Sequence, residues 1–258
     1  MKELLKDEDF DDFGSKRYML VSDTHFSRPD VDVPKTVGKL LQYGEDYECD
    51  ELVLGGDISK DPKEVTYLIN GNVFDGFKIA KGNHDHWDPT DLYKEIRSRA
   101  PEARNAFVAE KLEWEDGGIF GEYLLSLAHK PQEFKIRSST TESKFDYHED
   151  IILYGHSHAP HDRVMGKGTL FVGIGSAFSN YNTPFKNNHI MADRSFQIMN
   201  IGEKIYIEHY DFDTEELVES SEYIFTNEGF QNTFKEGYLE GLYEEEAEAY
   251  NYNTVAIT

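Results

Sequence analysis

The chain has 258 residues, of which 38% are hydrophobic and 14% aromatic, so it can bury a sizeable core and is not globally disordered. Its formal net charge of -24 repels polyanions and disfavours stable nucleic-acid binding, which relies on basic residues at the phosphates. Its single cysteine, Cys49, excludes an internal disulfide and a cysteine-based metal cluster.

Five short apolar runs are predicted to be strands, and each is followed by side chains that can bind a metal ion. In chain order the runs cover residues 18–21, 52–54, 77–80, 123–128 and 151–154. Patterns typical of helices lie between or after the early runs and begin at Pro34, at Asp61-Pro62 and at Asp88-Pro89. Alternating strands and helices predict a parallel sheet, so we expect the five polar clusters to converge at one edge.

The later part of the chain has a different pattern. Segments 168–177, 194–202 and 203–213 resemble strands without helices between them, with a hairpin turn at Gly202-Glu203. We expect them to form a second, largely antiparallel sheet packed on the first. The predicted fold class is therefore α/β, a two-sheet β-sandwich flanked by helices in four layers (αββα).

The predicted domain organisation has an acidic segment at each end of a main domain. The N-terminal segment, the domain and the C-terminal extension cover residues 1–16, 17–215 and 216–258. Residues 232–250 suggest an amphipathic helix, and its role as a solvated helix or tail, a partner contact or a homo-oligomer contact stays open. Because no long apolar run and no secretory signal is found, we expect no membrane association and a cytoplasmic location.

The candidate metal ligands are two carboxylates, one amide and four imidazoles. They are Asp23, His25, Asp57, Asn83, His129, His156 and His158. Nitrogen and oxygen ligands without a thiolate suit Mn²⁺, iron, Zn²⁺ or Ni²⁺ better than Ca²⁺. Seven ligands are too many for one tetrahedral ion, but they fit two ions that share a bridging carboxylate. Residues two apart in an extended segment point to the same side, so each D-x-H or H-x-H pair can reach a common centre.

These ligands lie in an ordered set of short motifs. The motifs are Asp23-x-His25, Gly56-Asp57, Gly82-Asn83-His84-Asp85, His129 and Gly155-His156-x-His158. The set resembles the calcineurin-like metallophosphoesterases over residues 17 to about 213, and the pattern is similar to small bacterial and archaeal phosphodiesterases of that family. The resemblance implies two divalent metal ions, with Mn²⁺ as the first candidate and Ni²⁺, Fe²⁺, Zn²⁺ or Mg²⁺ as alternatives.

The resemblance also implies a role for each matching residue. One ion would be held by Asp23, His25, Asp57 and His158. The other would be held by Asp57, Asn83, His129 and His156, with Asp57 bridging. His84 would contact the phosphoryl oxygens and help to protonate the leaving group, while a metal-bridging hydroxide attacks phosphorus. Asp85 would either orient a neighbouring ligand or serve as a cap or turn residue.

The function implied is hydrolysis of phosphoester bonds. A phosphodiesterase acting on a small phosphoester or nucleotide is our first interpretation, because the segment GGDISKD lacks the arginine that protein phosphatases of the superfamily carry there. A phosphomonoesterase and a nuclease are alternatives within the superfamily. A protein-binding scaffold, as in the retromer scaffold subunit, is the alternative from another class, and the complete ligand set counts against it.

Two segments are candidates for substrate specificity. Residues 130–150 contain Lys130, Lys135 and Arg137, which could meet a second phosphate, and residues 179–189 contain the aromatic residues Tyr181 and Phe185. A solvated loop and ordinary aromatic packing are the alternatives. The remaining histidines are expected to have surface or supporting roles: His86, His148, His161, His189 and His209.

Overall fold

The computed structural model describes residues 15–69, 73–101, 103, 105–116, 123–130, 136–138, 146–147, 149–158, 160–178 and 194–237. The helices in this part are α1 (Val33–Asp46), α2 (Pro62–Ile69) and α3 (Pro89–Arg99). The strands are β1 (Lys16–Val21), β2 (Glu51–Leu54), β3 (Gly76–Ala80), β4 (Ala106–Ala109), β5 (Lys111–Asp116), β6 (Tyr123–Ala128), β7 (Ile136–Ser138), β8 (Asp146–Tyr147), β9 (Ile151–Tyr154), β10 (His161–Met165), β11 (Thr169–Gly173), β12 (Ser195–Ile201), β13 (Ile205–Asp211), β14 (Leu217–Thr226) and β15 (Gly229–Gly237).

The first sheet has eight strands in the order β15-β14-β13-β12-β1-β2-β3-β4. Strands β1 to β4 run parallel, and the other neighbours are antiparallel. Val21 lies beside Leu54, and Leu54 lies beside Ile79. Strands β1, β2 and β3 therefore end almost level, which brings the polar segments that follow them side by side.

The second sheet has the order β10-β11-β9-β6-β5. Strands β6 and β9 are parallel neighbours, with Ala128 beside Tyr154. The residues that follow these two strands therefore leave the second sheet at the same level. A small third sheet pairs β7 with β8.

Apolar packing joins the layers. Helices α1, α2 and α3 bury Leu40, Leu68 and Ile96 in a cluster against the first sheet. A second cluster lies between the two sheets and includes Leu20 and Leu153, both fully buried. Burying one such side chain contributes about 1.5–3 kcal/mol, so these clusters fix the strand ends from which the site is built.

The α/β two-sheet sandwich and the five predicted strand runs are confirmed. The helix starts expected at Asp61-Pro62 and Asp88-Pro89 also form, since Asp61 accepts from Lys63 N at 2.9 Å and Asp88 accepts from Thr90 N at 2.8 Å.

The prediction for the late strands was wrong in part. Strands β12 and β13 extend the first sheet beyond β1, while β11 pairs with β9 in the second sheet. The five polar clusters consequently come from two sheets.

Strands β14 and β15 continue the first sheet past residue 216, where the sequence analysis began the extension. The amphipathic-helix prediction is wrong over residues 232–237, which belong to β15. Burial of Tyr223 and Phe230 between the sheets favours the strand. Residues 1–14 and 238–258 lie outside the described residues. None of the described helices combines the length and apolar character that a membrane span requires.

Candidate metal centre

Most of the predicted ligands have an unusual backbone conformation. Among the described residues, seven other than glycine have positive φ, and five of these are predicted ligands. Their φ angles are 51° at Asp23, 46° at His25, 52° at Asp57, 67° at His156 and 59° at His158. Such residues cost about 1–3 kcal/mol each and collect at functional sites, where the surrounding fold holds them. The strain therefore marks these five positions as a site.

Two glycines allow the strand-end segments to approach each other. A Cβ at Gly82 would collide with the main-chain nitrogen and carboxylate of Asp57. A Cβ at Gly155 would collide with the Ser22 hydroxyl and the Gly55 carbonyl. Glycine at these positions thus lets the segments after β3 and β9 lie directly on those after β1 and β2.

The first metal group comprises Asp23, His25 and His158. His158 Nε2 lies 3.2 Å and His25 Nε2 lies 3.9 Å from Asp23 Oδ1. The other carboxylate oxygen, Asp23 Oδ2, accepts hydrogen bonds from Ser22 Oγ at 2.5 Å and from His156 N at 3.1 Å. These bonds orient the carboxylate so that Oδ1 faces the two imidazoles.

The second metal group comprises Asp57, His129 and His156. His129 Nε2 lies 3.3 Å from Asp57 Oδ2 and 3.3 Å from His156 Nδ1. His129 Nδ1 lies 2.7 Å from the Gly55 carbonyl, which can only accept, so Nδ1 carries the proton. This bond leaves Nε2 as the nitrogen that can bind an ion.

Both carboxylates are held in the charged form. Burial raises the pKa of Asp23, but the interaction with His158, whose Nε2 lies 3.2 Å from Oδ1, outweighs it and the net direction is down. Burial also raises the pKa of Asp57, but the hydrogen bond and charge of His129 lower it to about 2. Each group therefore contains an ionised oxygen ligand over the ordinary pH range.

The imidazoles differ in their protonation. Burial lowers the pKa of His25 to about 4 against the attraction of Asp23 and Asp57, and burial also lowers the pKa of His156. Burial lowers the pKa of His129 as well, but the hydrogen bond and charge of Asp57, with the charge of Asp23, raise it to about 9. His25 and His156 are thus neutral and ready to bind metal near pH 7, while His129 must first lose a proton.

The residues present fit a pair of divalent ions. Asp23 Oδ1 is fully buried and accepts no hydrogen bond from the described part of the chain, although two imidazole nitrogens face it. Leaving a buried carboxylate oxygen without a partner is costly, and a cation between Oδ1 and these nitrogens would remove that cost. Carboxylate and imidazole donors suit Mn²⁺, iron, Zn²⁺ or Ni²⁺.

The segment after β3 contributes at the mouth of the site. His84 N donates to Asp57 Oδ1 at 2.7 Å, and His84 Nε2 lies 3.9 Å from Asp57 Oδ2, with the side chain 49% exposed. Asn83 is exposed between Gly82 and His84, and its role as a ligand stays a prediction. His84 therefore lies at the mouth of the site beside Asp57.

Asp85 connects two ligand-bearing segments. Its carboxylate accepts from Ile58 N at 2.8 Å, Ser59 N at 2.9 Å and Gly82 N at 2.8 Å. Burial raises the pKa of Asp85 to about 7, and the nearby charge of Asp57 acts in the same direction, against the three N–H donors. These bonds tie the segment after β3 to the segment after β2, and both alternatives named for Asp85, orienting and turn residue, stay predictions.

A cavity of about 430 Å³ adjoins both metal groups. Its lining includes His25, Asp57 and His84, together with Arg28 and Lys60, which the sequence analysis did not identify. The Arg28 guanidinium lies 4.6 Å from the Phe178 ring centroid and forms an ion pair with Asp30 at 3.1 Å. Arg28 follows the D-x-H motif and Lys60 follows the G-D motif in the sequence. This closeness is the only sequence signal for either basic residue.

The other candidates have varied outcomes. Lys130 is half-buried near His156, and its charge helps to lower the pKa of that imidazole, after burial and His129. His161 is half-buried on β10, hydrogen-bonded to Tyr154, and is in neither metal group. His86 is exposed, whereas His209 is fully buried. Lys135, Tyr181, Phe185, His148, His189 and the side chain of Arg137 lie outside the described residues.

Comparison with known proteins finds solved structures of similar fold and one matching sequence family. Chaetomium thermophilum Vps29 is 15% identical, with a TM-score of 0.52 over 80% of this chain and 96% of that one. Plasmodium GAP50, the anchor in the inner membrane complex, is 10% identical, with a TM-score of 0.52 over 81% and 88%. The phosphoesterase Yfce from E. coli is 15% identical, with a TM-score of 0.49 over 79% and 97%. No curated protein matches the sequence.

The likenesses to Vps29 and GAP50 show the fold alone, whereas the family match is found in the sequence itself. The description of the matching family is "Calcineurin-like phosphoesterase superfamily domain", and the match covers residues 17–193. That interval runs from β1 past both metal groups. Because the match spans most of the chain, the protein belongs to the calcineurin-like phosphoesterase superfamily.

Proposed function

We propose that the protein is a metal-dependent phosphodiesterase that acts on small phosphodiesters, including nucleotides. The observation that carries this proposal is the pairing of two metal groups around strained ligands, with an ionised carboxylate in each. When bound, two divalent ions would polarise the phosphoryl group and activate the attacking water. Asp57 would serve as the ligand common to both ions.

The chain's own residues would orient the substrate and move protons. His84 is half-exposed beside Asp57 and would donate a proton to the leaving oxygen. Asp85 and Gly82 keep the His84 segment against the Asp57 segment, so the donor stays aligned with the metal groups. His129, anchored by its Nδ1–H on Gly55, would hold its Nε2 toward the second ion.

The cavity supports a substrate with a substituent on the phosphoryl group. It extends from His25 and Asp57 past His84 to Arg28 and Lys60. Three carboxylates, Asp30, Asp57 and Asp85, line the cavity beside Arg28 and Lys60, so the two divalent ions would supply most of the positive charge that an anionic ligand needs. A diester needs room beside the metal groups for its second substituent, and this cavity would provide it.

The test is hydrolysis of bis(p-nitrophenyl) phosphate beside p-nitrophenyl phosphate. Metal-free protein is supplied with Mn²⁺, Ni²⁺, Fe²⁺, Zn²⁺ or Mg²⁺, and Asp57→Asn serves as the blank. Metal-dependent turnover that favours the diester supports the proposal. A preference for the monoester would instead indicate a phosphomonoesterase, and two bound ions without turnover of either compound would favour the scaffold alternative.

A further inference from the structure

A buried polar cluster joins the two sheets away from the predicted ligand motifs. Asp162 on β10 and His209 on β13 are both buried, and Asp162 Oδ1 lies 2.5 Å from His209 Nε2. The Tyr223 hydroxyl also donates to Asp162. Lys235 lies 2.7 Å from Glu219, which completes the cluster from β14 and β15.

The arrangement of this cluster is that of a hydrogen-bonded network. The ligand-type atoms of Asp162, His209 and Glu219 lie within 4.8 Å of one another. However, the Lys235 ammonium already supplies a positive charge at 2.7 Å from Glu219 and 4.0 Å from Asp162. The nitrogen–oxygen distance of 2.5 Å between His209 and Asp162 is also shorter than the 3.2 and 3.3 Å found in the two metal groups.

The second nitrogen of His209 connects the cluster to Gln197 on β12. Gln197 Nε2 lies 3.2 Å from His209 Nδ1 and donates to the Gly173 carbonyl at 2.8 Å. Gln197 Oε1 accepts from Gly175 N at 3.1 Å. Because main-chain groups cannot exchange donor and acceptor roles, the amide has one orientation. His209 Nδ1 must then accept, and His209 Nε2–H donates to Asp162.

The segment that Gln197 holds in turn holds Asp23. Ser22 N donates to the Gly175 carbonyl at 3.1 Å, and Ala177 N donates to the Ser22 carbonyl at 3.1 Å. The Ser176 hydroxyl shares its proton between the Phe178 carbonyl at 2.9 Å and the Asp23 main-chain oxygen at 3.1 Å. A continuous set of buried hydrogen bonds therefore runs from Asp162 to the first metal group.

We infer that Asp162, His209 and Gln197 are positioning residues for the first metal group. They fix the segment 173–177, which sets the place of Asp23 beside His158. The second metal group has anchors of its own, those of Gly55 to His129 and of His84 to Asp57, although His156 N also donates to Asp23 Oδ2. Loss of the network should therefore weaken the first ion more than the second. The inference rests on the proposed dinuclear centre, but not on the reaction it catalyses.

The experiment measures Mn²⁺ binding to metal-free full-length protein by calorimetry and by electron paramagnetic resonance, without substrate. Gln197→Met keeps the side-chain length and removes the three hydrogen bonds of the amide. Its first-group ion should bind about 10- to 100-fold more weakly, the size of effect found when groups that orient metal ligands are removed. The spectrum should change from a spin-coupled pair toward a single ion.

Two further variants make the result specific. Ser176→Ala removes only a hydroxyl at the other end of the same chain of bonds and should weaken the same ion. His25→Ala disables the first group by itself. Adding Gln197→Met to that variant should therefore have little effect on the affinity of the remaining ion. Lys78→Met is the matched control, since it breaks a buried ion pair with Glu51 at 2.6 Å in the first sheet and should keep both ions despite lower stability.

Three outcomes would overturn the inference. One is wild-type affinity for both ions in Ser176→Ala and in any folded Gln197 variant. Another is equal weakening of both ions in Gln197→Met, with the same weakening in Lys78→Met at a matched loss of thermal stability. The third is a third ion in the wild type that His209→Phe removes. Two bound ions without phosphoester hydrolysis would overturn the proposed function and leave this inference intact, whereas a wild type that binds no pair of ions would overturn both.

Discussion

His156 directs its Nδ1 at the Nε2 of His129 across 3.3 Å. His129 has already committed its other nitrogen to the Gly55 carbonyl at 2.7 Å, and Asp57 Oδ2 lies 3.3 Å from the same Nε2. Two ring nitrogens and a carboxylate oxygen therefore surround one point, where a positive charge is favourable. In the metal-free protein that charge is a proton on His129, and in the proposed enzyme it is a divalent ion.

Competition between a metal ion and the proton on His129 predicts that metal binding depends on pH. The neighbouring carboxylates outweigh burial and raise the pKa of His129 to about 9, so the imidazole is protonated at pH 6 to 8. An ion must displace that proton, and its affinity should rise by about tenfold per pH unit until the pH approaches this pKa. Calorimetry at pH 6, 7 and 8 in buffers of different ionisation enthalpy would measure affinity and proton release together.

The same pKa shift has a consequence for the metal-free protein. A folded-state pKa above the ordinary value of 6.5 adds stability that is fully present below pH 6.5 and is lost as the pH rises toward 9. The free energy of unfolding of metal-free protein should fall across that window. A metal affinity that does not change between pH 6 and 8, with no proton released, would contradict both expectations.

Asp57→Asn should abolish binding at the second metal group, weaken it at the first and strongly reduce phosphoester hydrolysis. Asp57 is buried and ionised, with its pKa lowered to about 2 by His129 against the effect of burial. The amide keeps the volume but removes the charge that an ion needs, so activity should fall by about 100-fold or more. Asp91→Asn, at an exposed carboxylate on α3, is the matched control. Full activity in Asp57→Asn would refute its place at the centre.

Six of the seven predicted ligands lie in the two metal groups, and the sequence could bring them together because their signal is local. Each ligand follows a short apolar strand, and the strands that precede Asp23, Asp57 and His129 formed where they were expected. The assignment of β12 to a second sheet failed because apolar alternation does not specify a strand's neighbour. The contact between Asp162 and His209 joins positions 47 apart in sequence, and neither has a local motif.

Removal of residues 214–258 should unfold the protein, whereas removal of residues 238–258 should not. Strands β14 and β15 cover β13 and bury Tyr223 and Phe230 to 1% and 2% exposure. Losing two such aromatic side chains costs about 3–5 kcal/mol each, which is comparable with the about 5–15 kcal/mol that stabilises a domain. Thermal unfolding and gel filtration would compare both truncations with the full chain.

Removal of residues 238–258 alone also tests the predicted partner role of the C-terminal extension. An elution volume and partner binding that match the full chain would remove support for an oligomer or partner contact there. A chain ending at Asp213 that melts like the full protein would contradict the structural role of β14 and β15.

Lys60→Gln should weaken substrate binding more than it slows turnover. Lys60 is exposed at the wall of the cavity beside His84, where its charge can attract an anionic substrate. An exposed charge contact of this kind changes KM by about 3- to 10-fold. Lys63→Gln, at an exposed lysine of α2 outside the cavity lining, removes the same charge from the surface. Equal effects of the two variants on KM would mean that only the overall electrostatic field of the protein affects substrate binding.

His84→Ala should retain both ions yet slow hydrolysis, because His84 is in neither metal group and is placed beside Asp57 at 3.9 Å. Loss of a proton donor costs about 10²- to 10⁴-fold when the leaving group is poor. The loss should be smaller for p-nitrophenolate, which leaves without protonation, than for an alkyl or nucleoside leaving group. His86→Ala is the control, since His86 is an exposed histidine two residues away. An equal loss with both kinds of leaving group would exclude proton donation and limit His84 to binding the phosphoryl oxygens.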